Sequence, residues 1–307
     1  MFSGLEYFIG QDGSLSDWFP VGRVRRSELD VKADKLGSGS FAEVFRGELK
    51  LPVAVKKMRG SVQQKELLEF VREGEMLRSI NHPCIVKLLG VYQEGGTYSL
   101  IQECVAGVNM FDHLHKYNKT LNLDRQMGVA LQMCDALAYL HSMRIIHRDV
   151  KPQNVIYNEK TGTSKLCDFG LARLIPVGVE TVSAMSLGTG GTPAYQAPEV
   201  LSKRDAGRKL DLYGFAVTLW EMYTTQLPWS DCDLERMTKK VVMQNERPPM
   251  PKDMPRDYAE MIARSWQTDT SKRPEFKDIL PTLRALYDAF NPSHSRYPHD
   301  PTGRLNP

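Results

Sequence analysis

The chain has 307 residues, 41% of them hydrophobic and 25% charged, with 40 basic and 37 acidic side chains and a net charge of +3. That length excludes one small core and suits a two-lobed unit or two domains. The near balance of charge leaves no electrostatic footprint for nucleic acid or an anionic membrane, and no stretch reaches the roughly 18 apolar residues of a membrane helix, so no membrane span is expected.

Five cysteines, Cys84, Cys104, Cys134, Cys167 and Cys232, lie scattered without metal-ligand spacing. An odd, unclustered set fits reduced thiols, so the cytoplasm is expected, with the nucleus as the other compartment. The opening MFSGLEYFIGQDGS carries no basic segment and no long apolar run, and no secretory signal is expected.

Residues 1–29 mix glycine, serine and aromatics without a period and read as an extension. KLGSGSFAEVFRGEL and then LPVAVKKM read as strand, glycine turn, strand, strand. Lys65 to Ile80 places Leu67, Leu68, Val71, Met76, Leu77 and Ile80 at helical spacing. IVKLLGVYQEGG and TYSLIQECV form a hairpin pattern. From Leu123 the pattern turns helical through RQMGVALQMCDALAYLHSM, and NVIYN and SKLCDFG follow as short strands. LDLYGFAVTLWEMYT is apolar almost throughout and predicts a helix buried on all sides. Further helices end near Phe290, and residues 289–307, rich in proline and polar groups, are expected to be disordered.

Several short motifs carry chemistry. GSGSFAEV, Gly37 to Val44, lets backbone lie close over phosphate oxygens at Gly37 and Gly39; alone it fits any tight hairpin equally well. Lys56 stands in VAVK on a predicted strand, where a solvated lysine is the simpler reading in isolation. HRDVKPQN runs from His147 to Asn154, DFG from Asp168 to Gly170, and APE from Ala197 to Glu199.

In this order and structural context, the set resembles eukaryotic protein kinases over residues 30–288, and within them the tyrosine-kinase-like group of serine/threonine kinases. The resemblance implies an α+β bilobal fold. A small β-rich lobe with one helix is expected over 30–103 and a larger, mainly helical lobe over 108–288. It also implies ATP with Mg²⁺, or Mn²⁺ in its place, protein substrates, and a monomer or transient dimer.

Site residues follow from the same resemblance. Lys56 should hold the ATP α- and β-phosphates and pair with Glu73, chosen over Glu66, Glu69 and the runner-up Glu75 by its distance to the turn Asn81–Pro83. Asp149 should orient the substrate hydroxyl, Lys151 should stand beside the γ-phosphate, and Asn154 and Asp168 should hold the metal. Gly37, Ser38, Gly39, Ser40, Val44, Ala54, Glu103, Val105, Asn109 and Ile156 should surround the nucleotide, with the hinge at Glu103 to Val105. Glu199 should pair with Arg273, and Asp211 should anchor the catalytic loop. Leu77, Leu88, His147 and Phe169 should form a stacked column. Arg148 should meet a phosphate on the activation segment, at Ser186 or Thr189 first and at Thr181 or Ser183 otherwise. Two alternatives are disfavoured. A pseudokinase would lack one of Lys56, Asp149, Asn154 or Asp168, and a tyrosine kinase would lack Lys151 and the GTPAY segment around Thr192. An unrelated nucleotide-binding domain would carry GxxxxGK[ST], which the sequence does not contain.

Overall fold

The computed structural model describes residues 29–38, 43–49, 52–57, 64–94, 97–183 and 190–290. The extension, the turn Gly39 to Ala42, the segment 184–189 and the tail therefore lie outside the described residues. The chain forms two units, 1–54 and 55–307.

In the first unit β1 (Leu29–Ser38) and β2 (Glu43–Leu49) pair antiparallel, with Gly37 opposite Val44 and Ser38 opposite Glu43. The register shifts twice, between Val31 and Lys35 and between Lys35 and Gly37. Such irregularities sharpen the local twist of a strand pair.

β3 (Val53–Lys57) spans the division and belongs to a three-stranded sheet with β4 (Leu88–Glu94) and β5 (Thr97–Glu103), in the order β3-β5-β4. The hairpin pattern is realised: β4 and β5 pair antiparallel, Gln102 opposite Leu88. α1 (Gln64–Ser79) lies between β3 and β4 in sequence, one residue ahead of its expected bounds.

Helices dominate from residue 123 onward. α2 (Leu123–Ser142) is buried at every position from Gln126 to Cys134, so it runs through the core. α4 (Leu210–Thr224), which follows the short α3 (Pro198–Leu201), is buried continuously from Leu210 to Met222. This all-round burial is what the near-continuous apolar sequence predicts. It also encloses Asp211 and Glu221, whose charges require partners there. α5 (Leu234–Val242) is capped by Asp233, which accepts from Arg236 N–H at 2.8 Å. α6 (Arg256–Ser265) packs on α4, and α7 (Phe276–Phe290) packs on α2 and α6. Pro281 stands within α7 without ending it. The element order is that of a β-rich small lobe followed by a mainly helical larger lobe.

Short strands carry the functional turns. β6 (Val108–Asn109), β8 (Val155–Asn158) and β9 (Thr163–Leu166) form one sheet, with Asn109 opposite Ile156 and Ile156 opposite Lys165. Gly107 has φ +143° just before β6, and a Cβ there would lie 2.2 Å from Tyr157 O. Only glycine lets the chain leave β5 and approach β8 this closely. β7 (Ile145–Ile146) pairs with β10 (Arg173–Leu174), and β11 (Thr181–Val182) pairs with β12 (Ala206–Gly207).

Candidate active site

Three motifs far apart in sequence meet at Lys56. Its Nζ donates to Glu73 Oε1 at 2.7 Å and Oε2 at 2.8 Å, and to Asp168 Oδ1 at 3.0 Å across 112 residues. β3 supplies the lysine, α1 the glutamate, and the turn after β9 the aspartate. Burial opposes the Lys56 charge, but Asp168 and Glu73 outweigh it and hold its pKa above the usual lysine value. At Glu73, 4% exposed, burial prevails over Lys56 and raises the carboxyl. At Asp168, 49% exposed, burial pushes upward but the Lys56 ammonium and the Gly170 N–H pull it below the usual carboxylate range. Asp168 has φ +61°, a left-handed conformation that aspartate tolerates better than most residues.

The catalytic-loop segment is held from below by Asp211. Asp211 Oδ2 accepts from His147 N–H at 2.9 Å and Oδ1 accepts from Arg148 N–H at 2.8 Å. His141 Nε2 lies 2.9 Å from the same Oδ2. These bonds fix Arg148 at φ +71°, a strained geometry for a side-chain-bearing residue. His147 is fully buried, accepts from Asp149 N–H through Nδ1 and reaches Cys167 O through Nε2 at 3.2 Å. It packs edge-on against Phe169 at 5.0 Å between ring centroids. Leu77 and Phe169 are buried in the core, with Leu88 packed against it.

Asp149 gathers the groups around it. Its Oδ2 lies 2.6 Å from Lys151 Nζ and accepts from Asn154 Nδ2 at 3.0 Å, while Oδ1 accepts from Thr192 N–H at 3.2 Å. Lys151 Nζ also donates to Thr192 Oγ1 at 2.7 Å. Gly191, at φ +97°, makes the turn that delivers Thr192 to this position. Asn154 Nδ2 donates to Asp149 O as well, at 2.8 Å, which leaves the oxygen end of its amide as an acceptor. Cys167 N–H donates to Asn154 O at 2.9 Å, tying the residue before Asp168 to Asn154. An ionised carboxylate and an amide oxygen are hard donors of the kind magnesium takes, so this pair fits such an ion.

Of the residues expected around a nucleotide, Gly37, Ser38 and Val44 lie on the paired strands of the first unit, and Gly39 and Ser40 lie outside the described residues. Ala54 is exposed on β3. Glu103 ends β5, and its carboxylate is already engaged: Oε1 accepts from Lys87 N–H at 2.9 Å and from Lys165 Nζ at 2.7 Å. Cys104 is exposed and Val105 half-buried. Asn109 exchanges hydrogen bonds with Asp112, donating from Nδ2 at 3.1 Å and accepting from the Asp112 N–H at 2.8 Å.

The segment after Asp168 is more ordered along its first half than its glycines imply. Arg144 donates to the carbonyls of Ile175, Pro176 and Val179, and Thr181 pairs with Gly207 across β11 and β12. Ser183 is exposed, and Ser186 and Thr189 lie outside the described residues. Arg148 donates to Leu171 O at 3.0 Å. Burial, then the like charge of Arg173, lowers the Arg148 pKa against the pull of Asp211 and Asp149. At the far end Glu199 and Arg273 form a buried bidentate pair.

Sequence reasoning overlooked a buried network around Glu221, fully enclosed on α4. Its Oε2 accepts from Tyr195 O–H at 2.6 Å and its Oε1 lies 2.8 Å from His115 Nε2. An acidic residue inside an apolar helix was the available signal. His82, Cys84 and Asp135 also cluster within 4.8 Å. There His82 Nδ1 accepts from Cys84 N–H at 3.2 Å, and His82 Nε2 lies 3.3 Å from Asp135 Oδ2.

Comparison with known proteins gives the family. A family model described as protein tyrosine and serine/threonine kinase matches residues 31–283. The chain is 33% identical over 284 residues to the probable serine/threonine-protein kinase SIS8 of Arabidopsis thaliana, covering 91% of this chain and 27% of that protein. It is 32% identical over 294 residues to the Arabidopsis serine/threonine-protein kinase CTR1, covering 94% and 34%. It is 32% identical over 257 residues to the Arabidopsis serine/threonine/tyrosine-protein kinase HT1, covering 81% and 64%. The chain thus spans 27% to 34% of the length of the first such relatives. With most of its length matched, the chain belongs to the protein tyrosine and serine/threonine kinase family.

Proposed function

We propose that this chain transfers the γ-phosphate of ATP to serine or threonine hydroxyls of protein substrates, in signalling, with residues 30–288 as the catalytic domain. The observation that carries this reading is the arrangement at Asp149, where Asn154, Lys151 and Thr192 converge on one carboxylate. Phosphoryl transfer demands positioning and neutralisation of negative charge rather than covalent chemistry from the protein. Asp149 accepts or orients the substrate hydroxyl proton, and Lys151 stands beside it as a cation. Lys56 holds the α- and β-phosphates, braced by Glu73. Asn154 and Asp168 would hold Mg²⁺, or Mn²⁺ in its place, which supplies charge neutralisation at the phosphates when bound. Gly37, Ser38, Gly39, Ser40, Val44, Ala54, Val105, Asn109 and Ile156 form the nucleotide's surroundings, and the hinge at Glu103 contributes backbone groups. Glu199, Arg273 and Asp211 are structural.

The activity rises on phosphorylation of Ser186 or Thr189, with Thr181 and Ser183 as further acceptors; the cationic pair Arg148 and Arg173 supports this. Substrates are proteins, with no nucleic acid, and the protein acts as a monomer or transient dimer. Five free cysteines support the cytoplasm, or the nucleus. Among the described residues no helix is long and apolar enough to cross a membrane.

The test is a radiolabelled-ATP assay on a degenerate peptide array, with Asp168→Ala as control and phosphoamino-acid analysis of the products. Incorporation into serine or threonine that disappears in the control supports the reading. Predominant phosphotyrosine overturns the acceptor assignment, an outcome made concrete by the tyrosine in HT1's name.

A further inference from the structure

Glu103 and Lys165 lie 62 residues apart and no motif marks either as a pair, yet Lys165 Nζ donates to Glu103 Oε1 at 2.7 Å. The same Oε1 accepts from Lys87 N–H at 2.9 Å, and Glu103 N–H donates to Lys87 O at 3.0 Å. One carboxylate therefore holds three pieces of chain: the end of β5, the approach to β4, and β9. The approach to β4 is itself fastened to β9, with Val86 N–H donating to Leu166 O at 3.0 Å and Leu166 N–H donating to Cys84 O at 2.8 Å. The Lys165 side chain closes this triangle. Its own strand position is opposite Ile156 on β8, and Asp168 follows it by one short turn.

We infer that the Glu103–Lys165 ion pair is a positioning device that sets the hinge over the β8–β9 floor, and so governs affinity for the nucleotide rather than the rate of transfer. This rests on the ATP reading above. The carboxylate is consumed inside the protein, so hinge recognition falls to backbone groups whose height above Ile156 the pair fixes. Contacts to the adenine end are the same in ground and transition states. Loosening them weakens uniform binding, which raises KM for ATP and leaves kcat unchanged. A role in folding alone would reduce the active fraction, lowering apparent kcat with KM intact.

Lys165 is 23% exposed and Glu103 29% exposed, so substitution leaves neither partner charge sealed from water. Lys165→Met should raise KM for ATP about three- to tenfold, with kcat and peptide KM within about twofold of the parent. Lys165→Arg should restore KM. Equilibrium binding of a fluorescent ADP should weaken in parallel in Lys165→Met, with nucleotide-free melting temperature as the folding control. An unchanged KM and ADP affinity in Lys165→Met overturns the inference, as does a fall in kcat at constant KM. A parent protein that transfers no phosphate to any peptide overturns instead the functional reading beneath it, and the ADP measurement then still decides whether the pair positions a nucleotide site.

Discussion

Arg273 and Glu199 meet through two parallel hydrogen bonds, Nη1 to Oε1 at 2.7 Å and Nη2 to Oε2 at 2.8 Å, 74 residues apart. The arginine side chain is fully buried and the glutamate nearly so. Arg273 spends two further donors on Gln267 O at 2.7 Å and Lys209 O at 3.0 Å, and its guanidinium lies 5.6 Å from the centre of the Tyr213 ring. A planar fork matched to a carboxylate fixes distance and orientation together. The pair ties the segment around Glu199 to the start of α4 and to the turn before α7.

Removing one partner leaves a buried charge without its counterpart, which costs about 3–5 kcal/mol. Arg273→Ala and Glu199→Ala should each lower the urea midpoint by that equivalent. The double variant should be no worse than the poorer single, since it removes the orphaned charge too. Additive losses in the double variant would show that the two side chains act independently.

Asp211 gives a sharper test of the catalytic loop. Asp211→Asn keeps the volume but turns one acceptor oxygen into a donor. Either His147 N–H or Arg148 N–H then faces an amide NH₂ in a buried site. An orphaned buried donor costs about 1–3 kcal/mol. The loop it releases carries Asp149, so kcat should fall about tenfold to a hundredfold through misplacement. Unfolding curves and steady-state kinetics read the two effects separately. A variant with lost stability and full kcat would show that Asp211 supports the core without setting the loop.

How much of this was legible in advance depends on whether a residue carries its own local marker. Asp149, Asn154 and Asp168 each sit in a short motif whose neighbours are unusual, so their meeting could be expected despite distance in sequence. The α4 helix was legible because its apolar run admits no exposed face. The pairing of Glu103 with Lys165 was not, because nothing local marks a glutamate ending one strand and a lysine on another as partners until the fold places them together. His115 and Tyr195 were hidden for the same reason: only the packing shows that Glu221 takes both. The glycines of the activation segment fit by composition alone a loop with little intrinsic order. Its first half is instead tied by carbonyls converging on Arg144, a tertiary contact that composition does not encode.

Cysteine reactivity should follow burial. Burial first, then the neighbouring Asp168 carboxylate, pushes the Cys167 thiol up to about 12. At pH 8 it is almost wholly protonated, and the thiolate is the reactive form. Iodoacetamide at pH 8 should label the exposed Cys104 well before Cys167, by a factor of about ten or more. Timed peptide mapping by mass spectrometry gives the order. Faster labelling at Cys167 would contradict the enclosure seen around it.

The Lys56–Glu73 pair separates chemistry from stability. On the phosphate-holding role proposed for Lys56, Lys56→Met should lower kcat about a hundredfold or more. It also strands Glu73, which is 4% exposed and whose carboxyl burial already raises. Without the ammonium the folded-state pKa of Glu73 rises further. The sign follows from linkage. A group whose folded pKa exceeds its unfolded value, about 4.3 for glutamate, contributes stability that is fully present below that value. The contribution is lost as pH rises through the folded pKa. The stability deficit of Lys56→Met relative to the parent should therefore be larger at pH 8 than at pH 5. Asp168 shifts the same way: Lys56 is what holds its carboxyl down against burial, so in Lys56→Met its folded pKa rises too, and the stability it gives the parent above about 3.9 is diminished. Adding Glu73→Leu should remove the Glu73 share of the deficit and of its pH dependence, leaving the Asp168 share, with kcat at the level of Lys56→Met. Guanidinium unfolding of the three proteins at pH 5 and pH 8, beside their turnover, tests each part. A deficit independent of pH would mean that Glu73 is already solvated or protonated when Lys56 is absent, and the pair would then owe its place to chemistry alone.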